Sequence, residues 1–173
     1  MTRLLVVFDG SAAALAAIET AAALFPGADA VIANVKTPDP TAETAAMARI
    51  ALSDSMIRDG IAHMHAEHTR AARDLLARGE AVATAAGLRV TPRIEEGLTP
   101  WRALRALADE LAVDVIVCGT RGGSAVDRVL LGSTATSLLH HADRPLLVVP
   151  AATGTDLDDK LRQSGVGNHR TRL

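Results

Sequence analysis

The sequence Gly119-Thr-Arg-Gly122, followed after nine residues by Gly132-Ser133, carries the strongest indication of fold in this chain of 173 residues. The apolar run Val113-Asp-Val-Ile-Val-Cys118 precedes it, and a helix is predicted to begin near Ser133. A glycine-rich loop between a strand and a helix can bring backbone N–H groups and the positive end of a helix dipole to phosphate oxygens. The glycines allow close approach of the backbone, and Ser133 adds a hydroxyl at or near the N-cap.

The same glycines have a purely structural interpretation. Glycines after a buried strand often serve only as turn residues, and Ser133 would then be only a helix cap. The spacing matches neither the P-loop nor the dinucleotide-binding fingerprint. Taken alone, the loop leaves phosphate binding and a simple turn as alternatives. Arg121 within it is either a phosphate partner or a solvated charge.

Apolar runs alternate with helical patterns along the rest of the chain. Strands are predicted at residues 4–8, 30–35, 88–94, 114–118 and 145–150. Helices are predicted at residues 12–24, 41–58, 67–86, 100–111 and 133–141. Pro92 indicates an edge position for the third strand. The alternation predicts an α/β fold, in which βαβ units form a five-stranded, mainly parallel sheet with helices on both faces.

Two polar loops follow strand carboxyl ends in this arrangement. Asp9-Gly-Ser11 follows the first strand, and the loop that begins at Gly119 follows the fourth. Ligands of open parallel sheets bind beyond the carboxyl ends of the strands, at the point where the strand order reverses. Two glycine-bearing loops are therefore expected at one rim of the sheet, and this favours a ligand that carries phosphate.

The composition excludes several other classes of function. Apolar residues make up 49% of the chain and charged residues 22%, which fits one domain with a packed core. A net charge of −2 without a basic stripe, together with 2% aromatic residues, weighs against nucleic-acid binding. Because no apolar run approaches the roughly 20 residues of a membrane span and no signal peptide is seen, a cytoplasmic protein that does not bind membranes is expected. The single cysteine, Cys118, excludes an intramolecular disulfide.

Candidate metal and catalytic groups are weak. Among His63, His65 and His68, only the last two would share a helical face, and no further ligand completes a site, so no metal site is predicted from these side chains. Ser133 has no assignable histidine partner and Asp9 alone does not make a general base, so no catalytic residue is predicted.

Taken together, these residues resemble the universal stress protein family, in its ATP-binding type, over about residues 3–150. The family's pattern Gly-x2-Gly-x9-Gly-(Ser/Thr) is intact from Gly119 to Ser133. Asp9-Gly10-Ser11 matches a second signature of the family, and Arg144-Pro-Leu-Leu-Val-Val-Pro150 matches its closing strand. The resemblance implies a Rossmann-like sheet of the adenine nucleotide alpha hydrolase type, with strand order 3-2-1-4-5.

The resemblance also implies a function and its partners. It implies an ATP-binding regulatory protein of the stress response, in which nucleotide occupancy alters the dimer state or the binding of a protein partner. Mg²⁺ or Mn²⁺ would bridge the phosphates, and a homodimer would pair through Leu146 to Val149. The alternative is a nucleotide-free scaffold of the same fold. An enzyme, at most a weak ATPase or a transferase, is less favoured.

The residues implied to hold the nucleotide are Asp9, Gly10, Ser11, Val35, Gly119, Thr120, Arg121, Gly122, Gly132, Ser133 and Thr134. Three positions depart from the family pattern. Thr134-Ala135 replaces an apolar residue followed by a hydroxyl residue, Asn34 stands where histidine is frequent, and Gly97-Leu-Thr-Pro100 replaces Gly-Asp-Pro. A universal stress protein domain is expected at 1–150, followed at 151–173 by a mobile tail with a possible short helix at 157–163.

Overall fold

The computed structural model describes residues 1–37, 54–120 and 131–151, without the side chains of residues 54–66 and 68. The strands are β1 (Arg3–Val7), β2 (Asp29–Lys36), β3 (Arg89–Glu96), β4 (Val115–Gly119) and β5 (Leu146–Val149). The helices are α1 (Ala12–Leu24), α2 (Asp54–Ala85), α3 (Pro100–Glu110) and α4 (Ser133–His141). The tail predicted at 151–173 lies outside the described residues from position 152 onward.

All strand pairs of the sheet are parallel, and the strand order is β3-β2-β1-β4-β5. The predicted α/β class and strand order are therefore confirmed. β1 lies at the centre, with β2 on one side and β4 on the other, so the strand order reverses between β1 and β4. β3 and β5 are the edges, and Pro92 does lie on an edge strand, where its missing N–H costs no ladder hydrogen bond on the outer side.

Alternating side chains of β1 supply two separate apolar cores. Leu4, Val6 and Phe8 pack with residues of α1 and α2 on one face of the sheet. Leu5 packs with α3 and α4 residues on the other face, where Leu104 is fully buried. A central strand buried on both faces explains why the first apolar run has no polar alternation. The helices lie on both faces, as predicted.

The helix α2 is one continuous element of 32 residues. The described parts of the two predicted helices, 41–58 and 67–86, thus belong to one helix. Residues 41–53 of the first lie outside the described residues. A single glycine such as Gly60 lowers helix stability by only about 1 kcal/mol, which does not interrupt a helix supported by packing. Among the helices of the described part, none is both long enough and apolar enough to cross a membrane.

Three helix N-termini differ in how they are capped. Ser11 caps α1, and its Oγ accepts a hydrogen bond from the backbone N–H of Ala14 at 3.1 Å. Thr99 is the N-cap of α3, with Pro100 following as predicted, but its side chain makes no capping hydrogen bond. The N-cap of α4 is Gly132, so Ser133 is the first helical residue.

Candidate functional site

A cleft with a volume of about 170 Å³ opens at the carboxyl ends of β1, β2 and β4. It lies where the strand order reverses, which is the position expected for a ligand site in this type of sheet. Its lining combines strand ends with the first turns of α1, α3 and α4. The lining residues are Val7, Phe8, Asp9, Ser11, Ala14, Asn34, Val35, Pro100, Leu104, Cys118, Gly119, Gly132, Ser133, Thr134 and Ala135.

Most of the residues predicted for the site meet in this cleft. Those that line it are Asp9, Ser11, Val35, Gly119, Gly132, Ser133 and Thr134. Gly10 and Thr120 are not among the lining residues, and Arg121 and Gly122 lie outside the described residues. The backbone N–H of Thr120 donates to the Val149 carbonyl at 2.8 Å, which continues the pairing of β4 with β5.

One side of the cleft, which we call the β1–β2 wall, consists of Asp9–Ser11, Asn34 and Val35. The Asp9 carboxylate accepts the backbone N–H of Ser11 at 2.9 Å, and this fixes the turn that leads into α1. Gly10 has a φ of +79°, and a Cβ there would lie 2.5 Å from Cδ1 of Leu75 in α2. Gly10 is thus required by its left-handed backbone, whereas the Leu75 methyl group is the end of a flexible side chain and can shift; the glycine shapes the loop and does not line the cleft.

The backbone N–H and C=O of Val35 lie on the side of β2 that faces β1, beyond the residue at which β1 ends. The Phe8 N–H donates to the Ala33 carbonyl at 2.8 Å, so the polar groups of Ala33 face β1. Residues two apart on a strand direct their N–H and C=O groups to the same neighbour, and those of Val35 therefore also face the β1 side. β1 has ended at Val7, so these groups face the cleft, while the Val35 side chain packs against the α3 and α4 core.

The opposite side, which we call the β4–α4 wall, consists of Gly119 and Gly132–Ala135. A Cβ at Gly119 would lie 2.5 Å from the carbonyl carbon of Ala13 and 2.7 Å from its oxygen. Gly119 is therefore needed for the close approach of α1 to β4. Gly132 has a φ of −58°, which any residue adopts, so no unusual backbone angle requires a glycine at this position.

The first turn of α4 contributes backbone N–H groups to the β4–α4 wall. These groups have no partner within a helix, and they lie at the positive end of the helix dipole. Ser133 is exposed and Thr134 half-buried, whereas Ala135 is buried. The hydroxyl of Thr136 lies 3.4 Å from the Leu131 carbonyl and does not line the cleft, so Thr134 is the hydroxyl residue that can stand in for the one missing at position 135.

The cleft carries little charge. Asp9 is the charged residue of the lining, and no Lys or Arg side chain reaches it from the described part of the chain. Burial raises the pKa of the Cys118 thiol from 9.0 to about 11. The thiol therefore stays protonated at neutral pH, and it does not supply a thiolate nucleophile.

The histidines at 63, 65 and 68 have side chains outside the described residues. Within the described ranges, no group of three or more His, Cys, Asp or Glu side chains is arranged to hold a metal ion. His140 and His141 lie in the last turn of α4, and the ring of His141 stacks on Trp101 with centroids 4.5 Å apart.

Several lining residues were not among those predicted for the site. Asn34 was noted only as a departure from the family pattern, yet its Nδ2 donates to the Phe8 carbonyl at 2.8 Å inside the cleft. A polar residue near the end of an otherwise apolar strand is the signal that could have indicated it. Pro100 and Leu104 reach the cleft from α3, and no local sequence pattern indicates this because it depends on how α3 crosses the sheet.

Comparisons with known proteins agree with this architecture. A Staphylococcus haemolyticus protein named as a universal stress protein is 40% identical over 85 residues. The match covers 48% of this chain and 52% of that protein, so the chain spans about half of the relative's length. A universal stress protein of Archaeoglobus fulgidus, solved in complex with dAMP, matches with a TM-score of 0.60 and 17% identity over 86% of this chain and 98% of that one. An Arabidopsis thaliana member, solved with AMP bound, matches with a TM-score of 0.63 and 15% identity over 90% and 95%.

The family model of the universal stress proteins matches residues 1–150. This range contains the five strands and four helices of the described part of the chain, together with every residue that lines the cleft. The chain therefore belongs to the universal stress protein family.

Proposed function

We propose that this chain is an ATP-binding regulatory protein whose nucleotide occupancy tunes its dimer state or its binding of a protein partner. The observation that carries the proposal is the cleft itself, which places Asp9 opposite Gly132 and Ser133 at the reversal of strand order. Solved relatives that hold AMP and dAMP support an adenine nucleotide as the ligand class.

The two walls of the cleft suit the two ends of such a ligand. The N–H and C=O of Val35 form a donor and acceptor pair, which complements the acceptor N1 and the donor 6-amino group of adenine. The N–H groups at the start of α4 suit phosphate oxygens. A base on the β1–β2 wall and phosphates on the β4–α4 wall would therefore both find partners.

A divalent metal fits the oxygen donors that are present. Mg²⁺ binds oxygen ligands, keeps several of its waters, and is held in nucleotide sites by one or two protein groups together with the phosphates. The Asp9 carboxylate and the hydroxyls of Ser11 and Ser133 are such donors in the cleft lining. These residues would hold Mg²⁺ or Mn²⁺ together with the triphosphate, and the metal would offset the charge repulsion between the phosphates and Asp9.

Isothermal titration with ATP, with and without Mg²⁺, tests the proposal. We expect binding at millimolar concentration or below, weakened by Asp9→Asn and unchanged by Asp114→Asn. The two variants are matched, because each carboxylate accepts one backbone N–H, that of Ser11 for Asp9 and that of Arg3 for Asp114, and only Asp9 lines the cleft. Absence of any ATP binding in this range, with no nucleotide in the purified protein, would sink the proposal.

One observation favours the alternative of a nucleotide-free scaffold. The space beside Gly119 is filled by the backbone of Ala13, so packing alone explains this glycine of the family pattern. The scaffold function predicts that a cleft variant which no longer binds ATP keeps the full physiological effect. The regulatory function predicts that the effect is lost together with ATP.

The edge strand β5 is the proposed dimer contact. Leu146, Leu147 and Val148 are only partly buried, and no strand from the described residues pairs with the outer side of β5. Apolar edge strands are usually covered, and pairing of two β5 edges would cover both. Light scattering at micromolar concentration is expected to show a dimer that Val148→Lys converts to a monomer. A wild-type monomer with and without ATP would contradict this contact.

A further inference from the structure

The parallel pairing of β1 with β2 ends one hydrogen bond earlier than it could, because β2 continues to Lys36. The last register pair is Val7 with Ala33, and the Phe8 N–H still donates to the Ala33 carbonyl. In a parallel ladder the next bond would run from the Val35 N–H to the Phe8 carbonyl. β1 instead ends at Val7, and the Phe8 carbonyl accepts Nδ2 of Asn34 at 2.8 Å.

The side chain of Asn34 thus occupies the acceptor that the backbone of Val35 would otherwise use. A carbonyl accepts only from an N–H or O–H, so the contact also fixes which end of the amide faces Phe8. No described residue donates to Oδ1 of Asn34. Arg144 Nε is the sole buried side-chain N or O atom without a partner in the described part, so this oxygen is not sealed in the core.

We propose that Asn34 is a positioning residue that holds the Phe8 carbonyl and thereby keeps the backbone N–H of Val35 free for a ligand in the cleft. Without the amide, the carbonyl of the buried residue Phe8 would lose its partner, at a cost that favours pairing with another donor. In the parallel register that donor is the Val35 N–H, and β1 and β2 would then be joined by one more hydrogen bond. The consequence for affinity rests on the proposed nucleotide function, whereas the consequence for the ladder does not.

Amide hydrogen exchange at Val35, measured by NMR without ligand, tests the ladder directly. In the wild type this N–H is expected to exchange freely, and in Asn34→Leu it is expected to exchange at least tenfold more slowly. Asn34→His should restore free exchange, because Nδ1 of histidine lies the same number of bonds from Cα as Nδ2 of asparagine. Arg89→Leu, which removes a 2.7 Å side-chain contact to Asp29 at the other end of β2, should leave Val35 unchanged.

A purely structural role for Asn34 predicts the opposite sign, since loss of a hydrogen bond would leave Val35 equally or more exposed to exchange. Equal protection of Val35 in the wild type and in Asn34→Leu would overturn the proposal. If Asn34→Leu does not fold, Asn34→Ala provides a second variant without a donor, and the same comparison decides the outcome.

Titration with ATP then tests the ligand step. Asn34→Leu should weaken binding about tenfold, Asn34→His should recover most of the loss, and Arg89→Leu should have no effect. If the wild type binds ATP and Asn34→Leu binds it equally well, Asn34 does not serve the ligand. If the wild type fails to bind ATP, the proposed function is wrong, and the exchange of Val35 still decides whether Asn34 controls the ladder.

Discussion

The β1–β2 wall of the cleft is held by hydrogen bonds from side chains, whereas the β4–α4 wall is held by close packing of backbone against backbone. On the first wall, the Asp9 carboxylate accepts the Ser11 N–H at 2.9 Å, and Asn34 donates to the carbonyl of Phe8, which directly precedes the wall, at 2.8 Å. On the second, Gly119 leaves room for the carbonyl of Ala13. A glycine whose presence is explained by packing is weak evidence for a ligand site. Polar groups that are held in place at the rim of the sheet, without a neighbouring strand to pair with, are stronger evidence.

The largest effect on stability is expected at Gly119, because the β4–α4 wall leaves no space for a side chain at this position. Gly119→Ala places a Cβ 2.5 Å from the backbone of Ala13, so α1 or β4 must shift. We expect a loss of about 3 kcal/mol in the free energy of unfolding, at the upper end of what overpacking costs. Urea denaturation measures it.

Gly27→Ala is the matched control for this substitution. Gly27 has a φ of +71° and nothing within 4 Å of an added Cβ, so it carries backbone strain without a clash. We expect it to cost about 1–2 kcal/mol. Equal losses in the two variants would show that packing does not distinguish Gly119.

The second expected effect depends on pH and also concerns the β4 end of the cleft. Because burial raises the pKa of Cys118 from 9.0 to about 11, the folded protein keeps this proton at a pH where the unfolded chain releases it. The resulting stability is fully present below pH 9 and is lost as the pH rises to about 11. It amounts to about 3 kcal/mol, since the pKa rises by about 2 and each pKa unit corresponds to about 1.4 kcal/mol.

The difference in stability between the wild type and Cys118→Ala measures this contribution. Urea unfolding from pH 7 to 11 should give a constant difference up to about pH 8 and a shrinking difference above pH 9. A difference that stays constant through pH 11 would mean that the thiol is not desolvated in solution.

The third effect separates ligand binding from stability on the β4–α4 wall. Gly132 has an ordinary φ, so Gly132→Val adds no backbone strain and places a branched side chain at the N-cap of α4. We expect ATP affinity to fall at least tenfold, about 1.4 kcal/mol, with the circular dichroism spectrum unchanged. Gly132→Ala should have a smaller effect. Unchanged affinity in the valine variant would place the phosphates elsewhere, and Gly122→Val, outside the described residues, would then be the next variant.

The α/β class and most helix positions could be predicted from sequence patterns, whereas the strand order was implied only by the resemblance to the universal stress protein family. Apolar runs without alternation indicate strands buried on both faces, and Thr99-Pro100 marks a helix start by local chemistry. Asp9 and Ser11 were predicted to lie at the rim because they follow a strand end, and they line the cleft. These features depend on short stretches of chain and on a general rule of parallel sheets.

Other features depend on contacts between distant segments, which no local pattern reveals. Gly79 lies within α2, where a glycine ordinarily only weakens the helix, but a Cβ there would lie 2.8 Å from the ring of Phe8, so this glycine makes room for that ring in the core. The bond from Asn34 to the Phe8 carbonyl joins residues 26 positions apart. The helix predicted at 133–141 is observed with these bounds, and Gly132 rather than Ser133 is its N-cap.

The smallest effect on stability is expected at two helix N-caps, of which one makes a capping hydrogen bond with its side chain and the other does not. Ser11 on the β1–β2 wall accepts the Ala14 N–H, whereas Thr99, the N-cap of α3, makes no capping hydrogen bond. Ser11→Ala should therefore lower the free energy of unfolding by about 1 kcal/mol, and Thr99→Ala by only a few tenths. Thermal or urea unfolding of the two variants side by side measures the difference.

The same Ser11→Ala variant should have little effect on ATP binding. Because the Asp9 carboxylate still accepts the N–H of residue 11, the turn should persist and any loss of ATP affinity should stay below that of Asp9→Asn. Equal stability losses in the two alanine variants would show that the Ser11 hydroxyl contributes nothing beyond a favourable backbone, and the β1–β2 wall would then rest on Asp9 and Asn34 alone.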